Sequence, residues 1–290
     1  MPPKSEGRKG VFSLLPDGFK IARRSLRRSN KYLVHALDTK DVERQQYQHH
    51  VLSAPMEDAL ERGIKVADIG CGLGPWTMEM ARDFPASTFI GMDSDKSVLP
   101  TRDIPDNCSF LKCNTLTGLP FPDNTFDYVY QRLLILAYTP AEWDRALAEL
   151  VRVTKPGGWV ELFESDGLLE RSPESYQKYN DAWLHFTRTR NIDVKITHNL
   201  GNILRRSGLT DVESDRVSCP AGWYDRAGEL MGRSLELHRL SFKARLAPIM
   251  GMTEPDYERW ALAVTKDIEE NRSWINGYYA FGRKAIEAAA

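Results

Sequence analysis

Cysteine is scarce: Cys71, Cys108, Cys113 and Cys219 are the only four in 290 residues. No two are spaced as C-x-x-C, so neither a disulfide framework nor a cysteine-ligated metal site is expected, and a reducing compartment is the default. Long apolar runs are missing too. The longest, Leu133 to Tyr138, falls far short of the ~20 residues needed to cross a bilayer. No charged stretch followed by an apolar signal core opens the chain. These absences predict a soluble, cytoplasmic protein with no membrane partner. Net charge is nearly absent as well: Lys+Arg 39 against Asp+Glu 40 leaves -1, without the basic excess that attracts nucleic acid.

What is there is ordinary globular composition, 42% hydrophobic and 27% charged, in a chain sized for one large domain or one domain carrying an insertion. Charge is uneven, however. Residues 1–31 hold nine basic side chains against Glu6 and Asp17, and Arg23-Arg24-Ser25-Leu26-Arg27-Arg28 is their densest cluster. Such a leader is either a solvated, frayed segment, a nuclear-import signal, a phosphate-contacting arm or part of a targeting peptide, so a nuclear location stays open.

Past the leader, acidic residues at Asp38, Asp41 and Glu43 start a helix that ends near Pro55. Short apolar segments then alternate with helical patterns. Ile64–Ile69, Thr88–Met92, Cys108–Lys112, Phe126–Tyr130 and Trp159–Phe163 read as strands. A helix from Gly74-Pro75 carries the stripe Trp76, Met80 and Phe84; a second, Ala141–Val153, turns Trp143, Ala146, Leu147, Leu150 and Val151 to one side and stops at Lys155-Pro156-Gly157-Gly158. This β-α-β order predicts a doubly wound α/β sheet with its ligand site outside the carboxyl ends of the strands. After Asp166, Ser172–Thr189 and Glu229–Arg245 are helical and rich in aromatics, followed or separated by late strands at Val212–Cys219 and Trp274–Arg283. The expected organisation is a leader (1–31) and one domain (32–290), with its core at 60–165, 200–220 and 272–285 and a helical cap at 167–200 and 222–271.

The most informative stretch is Asp68-Ile69-Gly70-Cys71-Gly72-Leu73-Gly74-Pro75-Trp76, where a strand runs into a loop with glycine at every second position. The spacing D-x-G-x-G-x-G differs from the G-x-G-x-x-G of dinucleotide sites. Glycines let a backbone turn sharply and approach a ligand closely. Asp68 before them suits an ammonium or sulfonium better than a phosphate. Asp93 then ends the second strand, where a carboxylate can accept from both hydroxyls of a ribose; its alternative role is to cap a turn.

These residues resemble motif I and the acidic motif after it in class I S-adenosylmethionine-dependent methyltransferases. Asn114-Thr115-Leu116, Phe126-Asp127-Tyr128-Val129 and Leu150 to Val160 are similar to that family's later motifs, and Tyr32 with Arg44-Gln45-Gln46-Tyr47-Gln48-His49-His50 resembles the leader of its fungal LaeA-like (UMTA-type) branch. The resemblance implies a Rossmann-like seven-stranded sheet with its last strand antiparallel, helical cap insertions, and S-adenosyl-L-methionine as cofactor. It further implies that Gly70, Gly72 and Gly74 border the methionine portion, with Cys71 and Trp76 alongside. Asp93 and Ser94 would serve the ribose, Asn114 and Thr115 would lie near adenine, Tyr32 would close over the cofactor, and Gln131 and Arg132 would flank the sulfonium and the acceptor.

Because the cofactor's methyl group is already activated, the protein's task is positioning and desolvation, with a base only where the acceptor must lose a proton. Candidate bases are His49, His50, Glu164 and Asp166. No metal is expected, since adjacent His49 and His50 point ~100° apart on a helix. Trp183, His185, Phe186, Trp223 and Tyr224 are either an apolar acceptor pocket or ordinary core. Two functions fit: an enzyme methylating a small, secondary-metabolite-like molecule, or a LaeA-like regulator acting through a protein partner, with a homodimer compatible with either.

Overall fold

The alternation of apolar runs and helical stripes becomes a mixed sheet with helices on both faces in the computed structural model, which describes residues 54–286. In chain order these are α1 (Glu57–Arg62), β1 (Lys65–Ile69), α2 (Pro75–Asp83), β2 (Thr88–Asp93), β3 (Cys108–Lys112), β4 (Phe126–Arg132), α3 (Pro140–Val153), β5 (Thr154–Glu164), β6 (Leu169–Glu170), α4 (Glu174–Thr189), α5 (Leu200–Arg206), β7 (Leu209–Pro220), α6 (Arg226–Ser241), α7 (Lys243–Ile249), α8 (Glu254–Glu270) and β8 (Trp274–Lys284). The helix expected from Asp38 and the basic leader lie outside the described residues.

The strands are ordered β3-β2-β1-β4-β5-β8, with β7 on the far edge of β8. Pairs from β3 to β5 are parallel, whereas β8 runs antiparallel to β5 and to β7. This is the seven-stranded arrangement with an antiparallel last strand, to which two-residue β6 adds a short pairing at Trp274 and Ile275. Chain direction across the sheet reverses between β1 and β4, and the crevice at such a switch point is where open α/β sheets bind ligands.

Two helices hold the sheet from opposite faces. On one side, Trp76 and Met80 of α2, with Phe84 just beyond it, pack against Val66, Phe89, Tyr128 and Tyr130. On the other, Trp143, Ala146, Leu147, Leu150 and Val153 of α3 pack on Ala67, Val129 and Val160. Each large apolar side chain removed from water contributes ~1.5–3 kcal/mol before its entropy cost. The start of α3 is well specified: Thr139 and Glu142 form a reciprocal capping box and Pro140 takes the first turn. A third cluster joins α4, α7 and α8 through Tyr176, Tyr179, Trp183, Leu246, Tyr257 and Ala261.

Two strand boundaries differ from the periodicity. β4 continues through Gln131 and Arg132, because their ladder with Leu162 and Phe163 of β5 persists after the apolar run ends. β5 begins at Thr154, since Lys155-Pro156-Gly157-Gly158 stops the helix but leads into an irregular strand start, with a register shift between Phe126 and Tyr128. Helix α8 was not singled out by its apolar pattern. Its signal is local: the Thr253 hydroxyl accepts from Asp256 N–H, with Glu254, Pro255 and Asp256 in the first turn.

Candidate functional site

Gly70, Gly72 and Gly74 have φ of 69°, 55° and 72°, the left-handed region where a side chain is penalised. Space is equally restrictive: a Cβ on Gly70 would lie 2.6 Å from Leu134 Cδ2, and one on Gly74 2.5 Å from Phe110. The alternating turns carry the chain from the end of β1 into the N-terminus of α2, where Gly74 precedes Pro75 at the first helical position. Asp68, fully buried beneath the loop, accepts from the Thr77 hydroxyl of α2 at 2.6 Å and so ties strand to helix.

Asp93 closes this loop from the neighbouring strand. Its Oδ2 accepts from Gly72 N–H at 3.0 Å and its Oδ1 from Asp95 N–H at 2.9 Å. The turn-capping role and a ligand role are therefore compatible, because a carboxylate has four acceptor positions and these bonds use two. Ser94 is exposed beside it. At the end of β3, Asn114 caps the short turn Thr115–Thr117 by accepting from Leu116 N–H, and Thr115 is buried. Burial raises the Cys71 thiol well above its ordinary value, with Asp68 and Asp93 adding to the effect and Arg132 opposing it. These groups thus share one electrostatic neighbourhood. Burial therefore favours the neutral thiol at Cys71 over the thiolate.

Gln131 and Arg132, expected beyond the fourth strand, are its last two residues and are buried. They point to opposite faces, as successive strand residues must. Arg132 shares the α2 face with Tyr130, and Gln131 shares the α3 face with Glu164. Leu133 follows with φ 53°, an uncommon conformation for leucine. That turn aims two consecutive N–H groups, Leu134 and Ile135, at Glu164 Oε1 and Oε2, each at 3.0 Å. Burial pushes the Glu164 carboxyl up to about 8, against the two backbone donors and Gln131, which favour its charged form. What Glu164 visibly does is anchor the turn after β4.

Asp166, a candidate base, has a partner that carries no local signal in the sequence. His198 Nε2 lies 2.8 Å from Asp166 Oδ2, and the imidazole stacks on Tyr278 with ring centroids 4.5 Å apart. Asp166 is buried and also accepts Leu168 N–H. Tyr278 is the ladder partner of Glu164, so this cluster sits at the same end of the sheet as Gln131 and Arg132. His198, Tyr278, Thr197, Leu200, Ser214 and Arg216 are among the residues lining a cavity of about 270 Å³. Residues from 197–200, 214–216 and 278–279 build it, and a lone histidine in a polar stretch carries no signal of that. Of the cap aromatics, Trp183 is core: it packs in the α4–α8 cluster and its indole donates to Asp166 O at 2.8 Å. Trp223 donates to Ser273 O, and Tyr224 is exposed.

Tyr32, His49 and His50 lie outside the described residues. Among those described, no group of three or more His, Cys, Asp or Glu is arranged to hold a metal ion, and no helix is long and apolar enough to cross a membrane.

Residues 66–158 match the family described as a methyltransferase domain. The chain is 28% identical over 190 residues to the N-methyltransferase sirN of Leptosphaeria maculans, covering 63% of this chain and 66% of that protein. It is 38% identical over 100 residues to the secondary metabolism regulator laeA of Coprinopsis cinerea, covering 34% of this chain and 24% of that protein. The chain spans 57% and 66% of the lengths of the first two curated relatives it matches. Among solved structures, Haemonchus contortus phosphoethanolamine N-methyltransferase 2, bound to phosphomonomethylethanolamine and S-adenosylhomocysteine, superposes with a TM-score of 0.50 at 17% identity, covering 77% of this chain and 49% of that one. At that identity the likeness is one of fold.

Proposed function

We propose that the chain is a class I S-adenosylmethionine-dependent methyltransferase, an enzyme that transfers the methyl group of S-adenosylmethionine to a small-molecule acceptor, a reading supported by the methyltransferase domain matched over residues 66–158 and by the sirN relative. The observation that carries this reading is the junction of the left-handed glycine loop with Asp93 through the Gly72 N–H. A nucleoside ribose fits this junction, because Asp93 keeps unused lone pairs at the strand end where the loop presents backbone alone. Buried polar atoms without partners on the α2 side, at Trp76, Tyr130 and Arg132, fit a ligand with a polar end.

When bound, S-adenosylmethionine supplies an activated methyl group on a sulfonium. The chain's own part is to hold both reactants in line and to exclude water. In this reading Gly70, Cys71, Gly72, Gly74 and Trp76 border the amino-acid end, Asp93 and Ser94 serve the ribose, and Asn114 and Thr115 approach adenine. Gln131 flanks the reacting centre from the end of β4. The acceptor would occupy the side of β5 and β8, where the cavity by His198 opens. There His198, held by Asp166, is the group placed to receive a proton. The name of the sirN relative favours a nitrogen acceptor, for which a late, easy deprotonation suffices.

The test is incubation with S-adenosylmethionine and extracts rich in secondary metabolites, followed by mass spectrometry for a product one methyl group heavier. Appearance of such a product only with active protein supports the enzyme. Tight cofactor binding with no small product, but with a methylated or captured protein partner, would favour the regulatory reading that the laeA relative and the basic leader suggest.

A further inference from the structure

Three buried polar groups on the α2 face of the sheet lack a hydrogen-bond partner: the Trp76 indole Nε1, the Tyr130 hydroxyl and the Arg132 Nη1. All three residues are at least nine-tenths buried. The Trp76 and Tyr130 rings lie with centroids 4.3 Å apart, and Tyr130 and Arg132, two residues apart on β4, share one face. Arg132 is close enough that its charge favours ionisation of both the Tyr130 phenol and the Cys71 thiol of the glycine loop. Buried donors left without acceptors cost free energy, most of all on a guanidinium, so three on one face, linked by a ring contact and by strand neighbourhood, point to a missing acceptor. Trp76 lies in the first turn of α2, whose dipole favours negative charge there.

The surrounding charges narrow what that acceptor is. One row deeper, Asp68, Tyr130 and Glu161 are ladder partners across β1, β4 and β5, so two buried carboxylates flank Tyr130 on this face. Asp68 accepts from Thr77, and Glu161 accepts from Tyr128 OH and Ala54 N–H, each at 2.6–2.9 Å. A bare anion such as phosphate would meet Arg132 but also both acids. A zwitterion adds no net charge, and this field orients it: its ammonium toward the acids, its carboxylate toward the guanidinium at the outer end of the strand.

We propose that Arg132, together with Trp76 Nε1 and Tyr130 OH, holds the carboxylate at the amino-acid end of S-adenosylmethionine. This rests on the cofactor reading above and moves Arg132 from the acceptor to the cofactor. The Arg132 guanidinium gives the carboxylate a charge-assisted partner, and Tyr130 and Trp76 complete it with neutral donors. Gln131, on the opposite face, keeps the role beside the reacting centre.

Titration calorimetry with two ligands tests it: S-adenosylhomocysteine, which carries the zwitterion, and 5′-methylthioadenosine, which has the same nucleoside and a sulfur but no amino-acid end. For Arg132→Gln, affinity for S-adenosylhomocysteine should fall at least tenfold while that for methylthioadenosine stays within twofold. Trp76→Phe and Tyr130→Phe, which remove one donor each and keep the ring, should show the same selectivity with a loss of three- to tenfold. They carry the test if circular dichroism shows that Arg132→Gln does not fold. Equal loss for both ligands in a folded variant, or no loss for either, overturns the proposal while leaving the cofactor reading intact. Wild-type protein that binds neither ligand overturns the cofactor reading, and the proposal with it.

Discussion

The backbone N–H of Gly72 donates to the carboxylate of Asp93 across 3.0 Å, joining the loop after β1 to the end of β2. Asp93 therefore shapes the loop as well as facing the ligand. Asp93→Ala should weaken S-adenosylhomocysteine binding by ~1.5–3 kcal/mol, typical of charge-assisted hydrogen bonds, and also lower the melting temperature, because the N–H groups of Gly72 and Asp95 lose their acceptor. Asp93→Asn, which keeps one carbonyl oxygen, should fall between. Calorimetry and thermal denaturation on the same preparations check both effects.

Glu164 gives a pH dependence with a defined sign. Burial raises its folded-state pKa to about 8, far above that of an unfolded glutamate, so the folded state binds the proton more tightly. The stability this confers is complete below the unfolded pKa and is lost as pH rises through about 8. Wild-type protein should thus lose stability relative to Glu164→Gln between about pH 5 and 8 by urea denaturation; a constant difference would refute it. Glu164→Ala should cost ~2–4 kcal/mol, since Leu134 and Ile135 N–H are left without their acceptor.

Gly91 offers a purely steric test near the loop, because its φ is outside the left-handed region. A Cβ there would sit 2.5 Å from Phe110 and 3.0 Å from Cys71 Sγ. Gly91→Ala should destabilise by ~1–3 kcal/mol, and adding Phe110→Leu should recover most of it. Failure of the second change to rescue would place the strain at Cys71.

The Asp166–His198 pair should show coupling in a double-mutant cycle of Asp166→Asn and His198→Ala read by urea denaturation. Half the His198 side chain is exposed, so solvent screening holds the expected coupling to ~0.5–1.5 kcal/mol. Independent effects would show that the two side chains do not act together in solution. With an acceptor in hand, His198→Ala should flatten the rise of rate with pH if the acceptor loses a proton.

Strand identity, the glycine loop and Asp93 were legible because each is a local signal. A buried parallel strand needs a short apolar run, a left-handed turn needs glycine, and the next strand end lies one crossover away. Gln131 and Arg132 were legible as polar residues after the fourth apolar run but not as opposite-facing members of the strand, since polar side chains at a strand end resemble a loop. His198 was not legible at all.

The sequence by itself determined the alternation of strands and helices from β1 to β5 and the sharp turns after β1, because periodicity and backbone sterics act over a few residues. Tertiary structure alone decided which distant side chains meet. The ladder sets Tyr278 beside Glu164, brings His198 onto Asp166, and leaves Arg132 above two buried acids with no acceptor of its own for Nη1. The strand meetings depend on register and on which face a side chain takes, so a shift of one residue would turn Arg132 to the other face and part Tyr278 from Glu164.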